Sequence, residues 1–338
     1  MSPSSTSIWS FSPQVQMDMD NFKLVHHYSL VTSTTLNVGS PASLYTNQFV
    51  VPSIAFKEPT FMHVLLALSS LHLHILYSPL GIADRDYLRL AQRHRAQALS
   101  LFTSLPTTSS PITSYSALTP TSTQPSDTRL LIRNFLVIYA VAESLGAIAQ
   151  PQGVFTLIDN IRTSLRDKIY FYQDEQLKPL IWPFLGVRIV PTEAEEEESA
   201  LGSGMRVFPR CLKYLHLPQS AYRWPNAEEV SDPKVSMVYQ AATSTLREQW
   251  YISQFNSDTG LVSATAWIFL MSDAFREYLV AERRPRALVV LYFYCVMLGN
   301  LDQQKCWWAA KHVECLKWIE GVLEAEWMEM VRTTVEAM

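Results

Sequence analysis

Glycine is scarce in this chain, at 10 of 338 residues, well under the usual ~7% share. That scarcity excludes dinucleotide and P-loop folds, whose phosphate turns need glycine, and β-sandwiches, which need turn residues at short intervals. Charge is also thin, at 17% of residues. Lysine and arginine number 27 and form no basic patch, so nucleic acid is not an expected partner. There is no Asp-Asp pair, no Cys-x-x-Cys and no Gly-x-Ser-x-Gly nucleophile turn. No run of 18 apolar residues suggests a membrane span. The opening MSPSSTSIWSFSPQ lacks a basic start and an apolar core, so it does not read as a signal peptide. What remains is apolar: 48% hydrophobic and 12% aromatic residues, with a formal net charge of −4. A disordered chain would be poorer in aromatics and richer in charge. The expectation is a single all-α domain with a large core. Cys211, Cys295, Cys306 and Cys315 read as reduced, buried thiols of a cytoplasmic protein.

Apolar residues recur at a period near 3.6, and no stretch alternates convincingly as a strand would. Residues 1–20 read as a Ser/Pro-rich tail, with Met17 and Met19 as alternative starts, and 21–338 as the helical domain. Helices are expected at 24–36, at 60–77 and after a cap at Asp84 or Asp86. A linker rich in Pro, Ser and Thr covers 104–128, and an acidic loop covers 191–205. Further helices are expected at 129–146, 154–172, 233–256, 259–280, 284–298 and 301–330. His63, His72 and His74 lie on an apolar helix without zinc-ligand spacing, so they read as satisfied core histidines.

Four segments carry a resemblance: HHYSLVTSTTL (26–36), VPSIAFKEPTFMHVLLALSSLHL (51–73), RRPRALVVLYFYCVML (283–298) and WWAAKHVECLKWIEGVL (307–323). Together they resemble the C-terminal regulatory domain of fungal zinc-cluster transcription factors of the sterol-uptake-control type. That resemblance implies an all-helical fold with an internal apolar pocket for a lipid-like ligand. The six closely spaced cysteines of the zinc cluster are missing. The chain also resembles an offshoot of that fold, the atypical humulene synthases of fungal tropolone-sesquiterpenoid pathways. These lack the usual aspartate-rich motif and depend on a late lysine, with Leu or Met four residues before it. GNLDQQKCWWAAK matches with Leu301 and Lys305, and leucine is similar to the all-E members.

The resemblance implies a Mg²⁺-dependent sesquiterpene cyclase. It would convert (2E,6E)-farnesyl diphosphate to α-humulene and diphosphate by ionisation, closure of C1 onto C11 and loss of a proton. Lys305 would hold the diphosphate and Leu301 would shape the substrate. Gly299 and Asn300 break the preceding helix, and Asn300 with Gln303 reads as an N-cap. Lys305 then falls in the first turns of the last helix, where backbone N–H groups favour phosphate. Leu301, Lys305, Trp308, His312, Cys315 and Ile319 share one stripe of that helix. Without the resemblance, a lysine there reads as exposed.

Magnesium prefers oxygen ligands. Asp159, Asn160, Thr163 and Asp167 in IDNIRTSLRD fall roughly on one helical face and resemble a relaxed second metal motif of class I cyclases. The plain alternative is an exposed helix face. Glu143 lies in the apolar LVIYAVAESLGAI, where a charge is costly unless paired or ligating metal. It is either a Mg²⁺ ligand or an ion-pair partner of Arg133 or Arg162. Arg162, Trp308 and Phe293 are candidate substrate contacts. Trp267, Phe269, Tyr292, Tyr294 and Trp307 complete an aromatic set that either lines a cation-stabilising cavity or packs a core. Asp174, Glu175 and Asp302 are weaker metal candidates that read as surface acids. The rival function is a non-catalytic lipid-binding module. No membrane, nucleic acid or obligate protein partner is expected.

Overall fold

The computed structural model describes residues 19–36, 41–77, 86–104, 125–144, 175–177, 180, 208–218, 224–255, 266–268, 270–301, 306–309 and 312–336. The described residues are about 85% helical and contain no strand. The first helix, α1 (Met19–His27), runs on through a π-helical turn, Tyr28–Thr32, and a last α turn, Ser33–Thr35. A second irregular rod follows: α2 (Pro41–Tyr45), a π turn at Thr46–Val50, and α3 (Val51–Ala55).

At the centre lies α4 (Pro59–Tyr77). Pro59 suits the first helical turn, where its missing N–H costs nothing. The Glu58 carboxylate accepts the free Thr60 N–H at 3.3 Å, favoured by the helix dipole. Every residue from Thr60 to Leu73 is buried, as expected of a helix apolar on all sides. By length and composition α4 would suffice to cross a membrane; here it packs against α1, α5 (Tyr87–Ser104) and α6 (Pro125–Ser144). Asp86 is the cap of α5, its carboxylate accepting from Arg89 N–H at 2.9 Å. Helix α6 starts at Pro125, inside the stretch read as linker.

The second half packs around α10 (Pro285–Gly299), against α8 (Pro233–Phe255), α9 (Asp273–Val280), α11 (His312–Val322) and α12 (Ala325–Glu336). The short α7 (Arg210–Lys213) lies on α8. One continuous apolar core joins both halves. The helix expected over 259–280 is interrupted within its described part. Met271 and Ser272 are non-helical, and the Ser272 hydroxyl accepts from Phe275 N–H at 3.1 Å, capping a fresh helix.

The helix expected over 301–330 is likewise corrected. Leu301 sits in a bend and Cys306 is non-helical, Trp307–Ala309 forms one 3₁₀ turn, and α11 and α12 follow as separate helices. Asn300 is the C-cap of α10, its N–H bonded to Met297 O at 3.1 Å, not the N-cap of the next helix. Asparagine tolerates both positions, and here it finds the end of a helix with carbonyls to spare.

Candidate functional site

The segment carrying the candidate residues leaves α10 at Gly299. A Cβ on Gly299 would stand 2.8 Å from His312 Nε2, so the bare glycine lets the start of α11 return against the end of α10. His312 Nδ1 is fixed in turn by the Ala309 carbonyl at 2.9 Å. Leu301 is buried. Lys305 lies outside the described residues, as does the side chain of Trp308. The single stripe from Leu301 through Lys305 to Ile319 does not survive as drawn, because the helix meant to carry it is broken before α11.

Trp307, the neighbour of Trp308 in sequence, enters the core. It reaches α4 and α6, and its indole N–H donates to Thr35 Oγ1 at 2.8 Å. The indole stacks on His72, with centroids 4.4 Å apart and planes 15° off parallel. His72 Nδ1 bonds Thr32 Oγ1 at 2.9 Å, and the His27 ring lies 5.0 Å from that of His72. The π-helical turn widens the spacing so that His27 and Thr32, five residues apart, both meet His72. Burial, reinforced by the positive field of His27, pulls the His72 pKa down to about 3. Burial and neighbouring His26 pull His27 down to about 4. Both imidazoles are therefore neutral at physiological pH, which makes this an uncharged polar cluster in an apolar core. The Tyr28 hydroxyl and His27 Nε2 are buried there with no hydrogen-bond partner among the described residues. His72 is a satisfied core histidine as expected, and so is His63, which meets His94 Nδ1 to Nδ1 at 3.0 Å.

Glu143 is ion-paired, and its partner is Arg95 of α5. Arg95 Nη1 meets Glu143 Oε2 at 2.5 Å, and the Tyr139 hydroxyl donates to Oε1 at 3.2 Å. Arg95 also lies 5.4 Å from the Tyr139 ring centroid. Both carboxylate oxygens are thus engaged, and the buried Tyr139 hydroxyl is held protonated, its pKa raised by burial and by Glu143. Of the two arginines considered from sequence, Arg133 is not the one that neutralises Glu143 here, and Arg162 lies outside the described residues. Asp159, Asn160, Thr163 and Asp167 lie outside them too. Among the described residues no group of three His, Cys, Asp or Glu side chains is arranged to hold a metal ion.

Phe293 is fully buried and meets Tyr292 edge to face, centroids 5.7 Å apart. Trp267 stacks on Tyr294 at 4.5 Å and donates to the Ala242 carbonyl at 3.2 Å. These rings pack on one another in the second half of the chain, whereas Trp307 joins the histidine cluster; Phe269 lies outside the described residues. Glu175 is exposed, as expected of a surface acid.

Arg286 is the residue that sequence reasoning missed. It is fully buried. Its guanidinium donates to the carbonyls of Leu215 at 2.6 Å, Pro225 at 2.8 Å and Asn226 at 3.1 Å, and to Glu229 Oε2 at 3.3 Å. Glu229 Oε1 also accepts from Tyr239 at 2.6 Å and Arg284 at 3.4 Å. An arginine followed by ALVVLYFYCVML was the available signal.

No family model, curated protein or solved structure matches the chain. The described residues therefore form an all-α domain with one continuous core that carries an uncharged histidine–tryptophan cluster.

Proposed function

We propose that this chain is a sesquiterpene cyclase that ionises (2E,6E)-farnesyl diphosphate and closes C1 onto C11 to release α-humulene. The observation that carries the reading is the burial of Leu301 and Trp307, the described residues on either side of Lys305 in the sequence. The resemblance assigns Leu301 and Lys305 to substrate, and Trp307 stacks on His72 with the His27 ring beside it. A carbocation survives where aromatic faces are at hand and water is excluded. Neutral imidazoles and a stacked indole supply such surroundings without placing a second cation against the first.

In this reading Lys305 binds the leaving diphosphate, stabilising the charge that develops there. Leu301 shapes the chain around the C2–C3 alkene, and Trp308, Phe293 and Arg162 contribute to substrate binding. Magnesium belongs with Asp159, Asn160, Thr163 and Asp167. Glu143 does not fit as its ligand, because Arg95 and Tyr139 take both oxygens. The second reading is a lipid-binding module without catalysis.

Purified protein incubated with farnesyl diphosphate and Mg²⁺ separates the two. The cyclase reading expects hydrocarbon in the headspace, its loss in Lys305→Ala with the fold intact, and an altered alkene geometry in Leu301→Met. No hydrocarbon at any Mg²⁺ concentration leaves the binding module.

A further inference from the structure

We propose that Cys295 and Cys315 are a redox-active pair, a dithiol that a peroxide-class oxidant converts into an intramolecular disulfide tying α10 to α11. The sulfurs lie 2.9 Å apart, and about 0.9 Å of further approach reaches the ~2.05 Å of a disulfide. Cys295 projects from the fourth turn-face of α10 and Cys315 from the first turn of α11, two helices that pack directly on each other. Both are free thiols and almost wholly buried, so the packing holds the sulfurs in each other's path.

The remaining thiols are placed differently. Cys211 donates to Thr334 Oγ1 at 3.2 Å, and Cys306 lies between α10 and α11 in the sequence. The bond would close the stretch from 296 to 314, which contains Leu301 and Trp307. It would thus fix the two ends of that stretch relative to each other, whatever the chain catalyses or binds.

The chemistry balances with one peroxide. The thiolate of one cysteine attacks a peroxide oxygen, the O–O bond breaks, and a sulfenic acid forms with loss of hydroxide, which takes up a proton as water. The second sulfur attacks the sulfenic sulfur, the S–O bond breaks, the S–S bond forms and a second water leaves. Two thiols are oxidised by two electrons and one peroxide is reduced to two waters. Hydrogen peroxide is the reagent of choice because it is small enough to reach buried sulfur. Burial, together with the neighbouring Cys315, raises the Cys295 thiol well above its ordinary range, so oxidation is slow at neutral pH and faster in mild alkali.

The test is intact-mass measurement and non-reducing peptide mapping of the full chain after treatment with hydrogen peroxide. The expected result is a loss of about 2 Da, a peptide linking Cys295 to Cys315, reversal by dithiothreitol, and a faster reaction at about pH 8.5 than at 7. Cys211→Ala and Cys306→Ala should retain the link and Cys295→Ser should abolish it. An unchanged mass, oxygen added at isolated cysteines, or a link to Cys306 overturns the proposal. Mapping the unsubstituted protein decides the matter even where a variant fails to fold.

Discussion

Lowering the pH from 7 to 5 is expected to cost about 2 kcal/mol of folding stability through His72 alone. His72 is 1% exposed, with a pKa near 3 in the folded chain against an ordinary 6.5. In the unfolded chain the imidazole takes its proton near 6.5; in the folded chain it resists until about 3. Between those values the unfolded state binds the extra proton, so stability falls as pH falls. The contribution is complete above about pH 6.5 and is lost progressively towards pH 3. At pH 5 the unfolded histidine is about 1.5 units below its pKa, and each unit is worth about 1.4 kcal/mol. His27 titrates with the same sign over a narrower window, down to about 4, and His63 is lowered as well. Urea denaturation of the unsubstituted protein at the two pH values therefore mixes several groups. His72→Asn separates them, since an amide can take the place of Nδ1 beside Thr32 without titrating. The lost stacking on Trp307 lowers stability at both pH values alike, while the fall between pH 7 and 5 should shrink by about 2 kcal/mol. Equal falls in the two proteins would refute the claim that the core holds His72 neutral.

Three further outcomes follow from named contacts. Arg286→Met should lower unfolding free energy by about 3–5 kcal/mol, because Glu229 and three backbone carbonyls lose a common donor; a loss below about 1 kcal/mol in urea melts would contradict the network. Glu143→Gln should cost about 1 kcal/mol, since its pair with Arg95 is partly open to solvent, and should leave any Mg²⁺ requirement unchanged; a shifted half-saturating Mg²⁺ concentration would restore Glu143 as a metal ligand. Gly299→Ala brings a methyl against a histidine ring held by Ala309, so packing strain of about 1–3 kcal/mol should outweigh the better helix propensity of alanine; a stabilised variant in chemical denaturation would show that His312 yields freely.

Helix existence was legible wherever local pattern and stop signals agreed. Helix α4 falls at Pro59–Tyr77 against an expected 60–77, and Asp86 caps α5 as one of two residues foreseen. The breaks were only partly legible. At Ser272 nothing local marked the interruption; at Gly299 and Asn300 the end of a helix was marked, but asparagine suits either end position, so Leu301 was taken as the start of the next helix. Of the candidate site, the burial of Phe293 and the need to neutralise Glu143 were readable from their apolar neighbours. The partner of Glu143 was not, because Arg95 comes from another helix, 48 residues away.

The amino-acid sequence by itself determined the all-α class, the central helix and the stock of buried thiols and aromatics. Those follow from interactions within a few residues: 3.6-residue periodicity, capping side chains, and too few glycines for tight phosphate turns. Tertiary structure alone decided the pairings. It brought Trp307 onto His72 and Thr35, Arg286 onto carbonyls as far as 71 residues away, and Cys295 within 2.9 Å of Cys315. The physical reason is that side-chain identity sets what each group needs, a donor, a counter-charge or an apolar wall. Which distant group meets the need depends on how the helices cross.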